Sequence, residues 1–486
     1  MKTIYNKISL LGLLLVLGLT SCEGFLAEYS QDEVAPKNVR EYSQILYGEA
    51  YLRGEELPYS YLELLTDNVK IVSNSSNEST GTDVRVKGWG YFTWQASPEK
   101  TASGGLNIDR SWRVFYRHIL TSNIILKEMP NMTGDEAEKA QLEGEAHAAR
   151  LNAYFYLTNL YAPAYNPATA KETKGVPVND KSHGEDAQFP RATLADNYAQ
   201  MIKDIEGAEK AFARVSKPAG IFSWNLNAVT ILASRVYLYM KDYPKTIEYA
   251  TKALALNPVL QNLNDMDLKE GVFINKNNKE IAFSYGFFNP EYYAIGNSAY
   301  YTISDELSAL YTSDDLRKAN STDGLFFRSE KVNVGSFWFP KYVYYSKVTK
   351  GADESESNCY GFAIRTSEAL LNRAEAYAET GQLDLAMADL NKLRANRMKK
   401  GTPALAQPAT QEEVIQLVRL ERRKELAFEQ HRWFDLRRWD QPEIKHLYIT
   451  NLESGEGNEF VLSQGDSRYT LPIPQTAFES DPSLTK

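Results

Sequence analysis

Glu425 and Glu429 stand one helical turn apart in the stretch 411–440, QEEVIQLVRLERRKELAFEQHRWFDLRRWD. A carboxylate pair at that spacing lies within range of a retaining glycosidase geometry. A general acid needs one carboxyl held protonated near neutral pH. Here Arg422, Arg423, Arg432, Arg437 and Arg438 crowd the same stretch and favour both carboxylates in their charged form. The pair therefore reads as structural. The five histidines form no H-E-x-x-H, and the chain has no C-x-x-C, no G-x-S-x-G and no glycine-rich phosphate loop. No residue is assigned to catalysis or to a metal.

Two ring-rich stretches offer chemistry of another kind. A glycan site needs flat apolar rings for the C–H faces of sugars and planar polar groups for pairs of hydroxyls. Residues 67–105 set Trp89, Tyr91, Phe92 and Trp94 among Ser, Asn, Thr, Gly and Pro, with Asp67, Asn68, Asp83, Arg85, Lys87 and Asn107 nearby. Residues 271–357 crowd Phe287, Tyr292, Tyr293, Tyr300, Tyr301, Phe337 and Trp338 in a similar setting. Long excursions of this kind are commonly functional. The candidate glycan-binding residues are Trp89, Tyr91, Trp94, Asp67, Asn68, Arg85, Tyr292, Tyr293 and Trp338. Covering ~100 Å² per ring at about 25 cal/mol/Å² gives roughly 2.5 kcal/mol each before ordering costs. Two or three such rings predict affinities of about millimolar to tens of micromolar. Core packing is the competing use of every ring, and a calcium ion is the competing use of the Asp and Asn pairs. No other cofactor is expected.

These residues must be held by helices. In 411–440 apolar residues recur near a period of 3.6, and Thr410 with Glu413 makes a capping box, so the stretch predicts one long amphipathic helix laced with partly buried ion pairs. Further helices are expected over 38–54, 59–66, 108–129, 136–161 and 194–213, and Ile281–Tyr285 reads as a short strand. Ser234, Tyr237, Ala250, Ala253 and Pro258 fall at offsets 0, 3, 16, 19 and 24, the spacing of marked positions in a tetratricopeptide repeat. Ala374, Tyr377, Ala386, Leu390 and Leu393 keep the same register, with small residues where two helices must approach closely. The fold class is mainly α: a tetratricopeptide-like helix-pair scaffold with long irregular insertions and a few short strands.

The first residues read as a signal. Lys2 and Lys7 precede an apolar run, Ile8 to Leu19, that is too short to span a bilayer, and Leu19-Thr20-Ser21-Cys22 follows as a lipobox. Cleavage leaves Cys22 lipidated, and several acyl chains at roughly 0.8 kcal/mol per buried CH₂ anchor a protein firmly. Residues 1–21 are thus a lipoprotein signal peptide. Residues 22–486 form a single body, divided into 22–220 with the ring-rich loop 67–105, and 221–486 with the insertion 271–357 and the helix of 411–440. Cys359 is the only other cysteine, which leaves no intramolecular disulfide after lipidation. The formal charge of −9 and the absence of basic runs exclude a nucleic-acid partner.

The run E-R-R-x-E-L-x-F-E-x-x-R-W-F-D-L-R-R-W from Glu421 to Trp439 resembles the signature of the SusD/RagB family, the outer-membrane nutrient-binding lipoproteins of Bacteroidetes. R-T-S-E-A-L-L-N-R-A-E-A-Y from Arg365 and the tail Leu471-Pro472-Ile473-Pro474 carry the same resemblance. Asp481 stands where the family usually has Asn, and the chain stops before the family's Q-N. The resemblance implies a lipid-anchored protein on the outer face of the outer membrane. Such a protein captures oligosaccharide, or in some members peptide, and sits on a TonB-dependent, SusC-like transporter. It implies no catalytic residue. A glycoside hydrolase is the remaining alternative.

Overall fold

The computed structural model describes residues 36–51, 58–71, 84–182, 188–268, 273–285, 301–318, 324–329, 337–338 and 362–485. Cys22, Asp83, Tyr292 and Tyr293 lie outside the described residues, as does the side chain of Trp338.

In the N-terminal part, α1 (Val39–Glu49) starts at a capping box of Asn38 with Glu41. It is followed by α2 (Val84–Phe92), α3 (Ser111–Glu128), α4 (Glu136–Tyr161) and α5 (Leu194–Phe212). Asp135 caps α4 through the amides of Ala137 and Glu138, and a Thr193–Asp196 box caps α5. The helix pairs continue with α6 (Leu226–Tyr239), α7 (Tyr243–Leu256), the short α8 (Asp305–Ala309), α9 (Thr366–Glu379) and α10 (Leu383–Ala395). Then come α11 (Gln411–Glu425), α12 (Arg432–Arg438) and α13 (Gln475–Ser480).

Consecutive helices pack on each other: α3 on α4, α4 on α5, α6 on α7, α9 on α10, and α9 also on α7 and α11. The small residues expected at close approaches are where they were placed. Ser234, Ala253, Ala374 and Ala386 are fully enclosed, and the Asn372 amide of α9 donates to the Ser234 hydroxyl of α6 at 2.9 Å, tying one pair to the next. The fold is mainly α, a tetratricopeptide-like arrangement of helix pairs.

Among the described residues the strands are short and pair antiparallel in four two-stranded ribbons. β1 (Val69–Ile71) pairs with β3 (Tyr301–Ile303), and β2 (Ile281–Tyr285) with β6 (Phe362–Arg365). β4 (Arg328–Ser329) pairs with β5 (Phe337–Trp338), and β7 (Ile444–Ile449) with β8 (Gly457–Leu462). The β1–β3 ribbon joins the two ring-rich stretches through Val69 opposite Ile303.

Three sequence expectations change. The stretch 411–440 is two helices, because Phe428 (φ 59°) and Gln430 (φ 68°) adopt the left-handed region, which no right-handed helix continues. The expected helix over 59–66 is a single 3₁₀ turn, Leu62–Leu65. Residues 67–105 are not irregular throughout, since they contain β1 and α2.

Candidate functional site

Glu425 and Glu429 are inside the molecule. The guanidinium groups of Arg317, Arg365 and Arg397, all fully buried, converge on Glu425. Arg397 donates to both of its carboxylate oxygens at 2.9 Å, and Arg365 also holds Glu429 at 2.7 and 2.9 Å. Glu280 accepts from Arg365 and Arg397, while Asp315 accepts from Arg317 at 2.8 Å. Burial raises the Glu425 pKa, but the three arginines outweigh it and hold the carboxyl well below the usual carboxylate range. A group so held cannot act as a general acid. The cluster joins β6, the turn after α10, α11 and the segments at 280 and 315–317 into one charged core.

The ring-rich stretch 67–105 divides between core and surface. Trp94 is buried, its indole N–H donates to the Leu65 carbonyl at 3.1 Å, and its ring stacks on His446 at 4.3 Å. Phe92 stacks on the other side of His446 at 4.1 Å. Tyr91 is buried against Tyr61 with ring centroids 3.9 Å apart. Both candidates are therefore core residues: Trp94 follows the end of α2 with φ 49°, and that turn drives the ring inward. Asn68 is fully buried and accepts from Arg423 at 3.0 Å. Asp67 receives Arg432 in a two-pronged contact at 2.7 and 2.8 Å, with Arg423 at 3.2 Å. Asp67 and Asn68 thus fasten α11 and α12 to the N-terminal part and are not placed for a sugar.

Trp89 and Arg85 remain. They lie four residues apart on α2 and so share a face. Trp89 is half-buried, packed against the main core on one side and open on the other. The Arg85 guanidinium donates to the Ile449 carbonyl and lies over the Tyr448 ring at 5.6 Å. The position of α2 depends on two glycines. A Cβ on Gly88 would meet Leu64 Cδ1 at 2.7 Å and the Tyr301 hydroxyl at 2.8 Å. One on Gly90 would meet the carbonyl oxygens of Pro98 and Lys100 at 2.4 and 2.5 Å. The loop after α2 is laced back to it, with the Ala102 amide donating to the Val86 carbonyl at 3.0 Å and the Asn107 amide to the Lys87 carbonyl at 3.5 Å.

This loop carries two apolar residues that the sequence reading did not assign to a site. Leu106 is 68% exposed and Ile108 is 57% exposed. The helix expected from residue 108 begins only at Ser111, after Asp109 has turned inward to accept from the Tyr61 hydroxyl at 2.6 Å. A Pro98-to-Gly105 loop ending in L-N-I is the signal that could have marked them. The α2 region thus offers at its surface a half-buried ring, Trp89, and a guanidinium, Arg85, on one helix face, with two exposed apolar residues, Leu106 and Ile108, in the loop laced back to the helix. Such a surface can cover one face of a ligand and bond its edges.

Two family models match the chain, "SusD family" over residues 216–486 and "Starch-binding associating with outer membrane" over residues 55–238. Solved structures of similar fold include a SusD superfamily protein from Bacteroides thetaiotaomicron, with TM-score 0.69 and 20% identity, covering 92% of this chain and 99% of that one. A SusD-like carbohydrate binding protein from Bacteroides vulgatus gives TM-score 0.65 and 18% identity over 92% of this chain and 98% of that one. Another so described, from Bacteroides fragilis, gives 0.62 and 18% over 92% and 98%. The comparison with curated proteins gave no match. With more than half of its length matched by the family model, the chain belongs to the SusD family.

Proposed function

We propose that this protein is a non-catalytic, lipid-anchored glycan-binding protein of the outer cell surface, which captures oligosaccharide and passes it to a TonB-dependent transporter. The observation that carries the reading is the α2 surface, where a half-buried Trp89 shares a helix face with Arg85 on a helix locked in place by Gly88 and Gly90. Family membership and the match to a family of starch-binding, outer-membrane-associated proteins support it. Tyr292, Tyr293 and Trp338 belong to the proposal through the β1–β3 ribbon, which joins their stretch of the chain to the one before α2. The L-T-S-C box supports the anchor at Cys22. Among the described residues no helix is long and apolar enough to cross a membrane, so a ligand captured here needs a partner to carry it through.

The test is calorimetric titration with oligosaccharides from a polysaccharide panel, for wild type and Trp89→Ala. Binding by the wild type that falls at least tenfold in the variant, with an unchanged melting temperature, is the expected result. Release of reducing ends by the wild type would return the hydrolase reading, and capture of peptides with no glycan would favour the peptide-binding one. For the anchor, Cys22→Ala is expected to move the protein from the membrane to the soluble fraction, and unchanged fractionation would contradict it.

A further inference from the structure

A cavity of about 520 Å³ opens between α1, the first turns of α4 and the segment 215–219, at a place distinct from the α2 surface. Its lining includes Ser43, Gln44, Tyr47, Gln141 and Glu145. Tyr47 is 44% exposed, and its hydroxyl lies 2.8 Å from that of Ser223.

Glu145 is the unusual member. It is buried, and its carboxyl accepts from the Tyr51 hydroxyl at 3.1 Å and the Gln141 amide at 2.5 Å. Among the described residues no Lys, Arg or His forms an ion pair with it, whereas the buried Asp204, Glu280, Glu368, Glu375 and Glu425 are each paired with arginine. Of the charged groups lining the same cavity, Arg40 is paired with Glu138 at 3.4 Å, Asp135 is spent on capping α4, and Lys217 is exposed. The cavity therefore contains three carboxyl groups against two cations. Desolvation raises the Glu145 pKa to about 7, opposed by the hydrogen bonds from Gln141, Tyr51 and Tyr47. A buried carboxyl lacking a cation, next to an open cavity, is satisfied best by a ligand that brings one.

We propose that this cleft is a second ligand site, specific for a primary ammonium group, with Glu145 as the counter-charge and the Tyr47 ring covering the adjoining apolar face. The ammonium can come from an amino sugar or from a lysine side chain. The proposal does not rest on the α2 surface, whose residues lie elsewhere.

The experiment is titration of the full chain with glucosamine, glucose, N-acetylglucosamine and Nα-acetyl-lysine methyl ester at pH 7.5, for wild type, Glu145→Gln and Tyr47→Ala. The expected result is that one or both amines bind at least tenfold tighter than glucose and N-acetylglucosamine, and that Glu145→Gln abolishes this preference. Tighter binding of glucosamine assigns the site to a sugar, and tighter binding of the lysine ester assigns it to a peptide. Tyr47→Ala should weaken the preferred amine severalfold, with its thermal transition recorded alongside. Titration with the lysine ester, whose ε-ammonium is already fully charged at this pH, in buffers of different ionisation enthalpy should show proton release from Glu145 in the wild type and none in Glu145→Gln. Equal affinity for glucose and glucosamine, or an amine preference that survives Glu145→Gln, would overturn the proposal. So would the absence of amine binding to a wild type with an intact thermal transition.

Discussion

At the scale of single residues, charges that look catalytic in one dimension are structural in three. Glu425 is the shared counter-ion of three buried arginines, so Glu425→Gln leaves those cations under-compensated. Urea unfolding is expected to show a loss of about 3–5 kcal/mol. A loss below about 1 kcal/mol would mean that the cluster redistributes its charge. The two candidate tryptophans on either side of the α2 terminus separate equally cleanly. Trp94→Ala removes a buried ring stacked on His446 and is expected to cost about 3–5 kcal/mol of stability. Trp89→Ala removes a half-open ring, so it should cost about 1.5–3 kcal/mol of ligand binding and little stability. The sequence showed four rings in six residues but not which faced inward. That depends on the left-handed turn at Trp94 and on contacts with His446, a residue more than three hundred positions away.

At the scale of elements, the helices with a clear period and cap were legible. α4 falls where its pattern put it, and α11 begins at the Thr410–Glu413 box. The break after Glu425 was not legible, because Leu426, Phe428 and Trp433 keep an apolar rhythm through a segment whose backbone turns left-handed at Phe428 and Gln430. α2 was not legible either. Its sequence VRVKGWGYF has two glycines and little amphipathic pattern, and its place comes from close packing on Leu64, Tyr301 and the 98–100 backbone. Gly90→Ala is accordingly expected to be worse than Gly88→Ala. Its Cβ meets backbone carbonyls that cannot swing aside, whereas the Leu64 and Tyr301 side chains have some freedom. Thermal scans should show Gly90→Ala destabilised by about 1–3 kcal/mol, with weaker ligand binding as α2 shifts. An unchanged affinity in that variant would separate α2 from the site.

At the scale of the whole molecule, stability depends on acid in a direction that two buried groups set against each other. Desolvation lowers the His446 pKa to about 4, opposed by the Phe92 and Thr66 carbonyls, so folding favours the neutral ring. Its contribution is fully present above the unfolded value near 6.5 and is lost as pH falls towards 4. Glu145, raised to about 7, runs the other way, with a contribution complete below about 4.5 and lost as pH rises through 7. His446→Gln should therefore flatten the fall in melting temperature between pH 6.5 and 4, and Glu145→Gln should steepen it. Scans at half-unit intervals measure both slopes.

The central claim, that the α2 surface binds glycan without cleaving it, is tested most directly by native gel electrophoresis in polysaccharide-containing gels, with wild type and Trp89→Ala run side by side. The account predicts that at least one polysaccharide retards the wild type, that the retardation is largely lost in Trp89→Ala, and that no reducing ends appear in the gel. Equal retardation of both proteins, or release of reducing ends by the wild type, would contradict it.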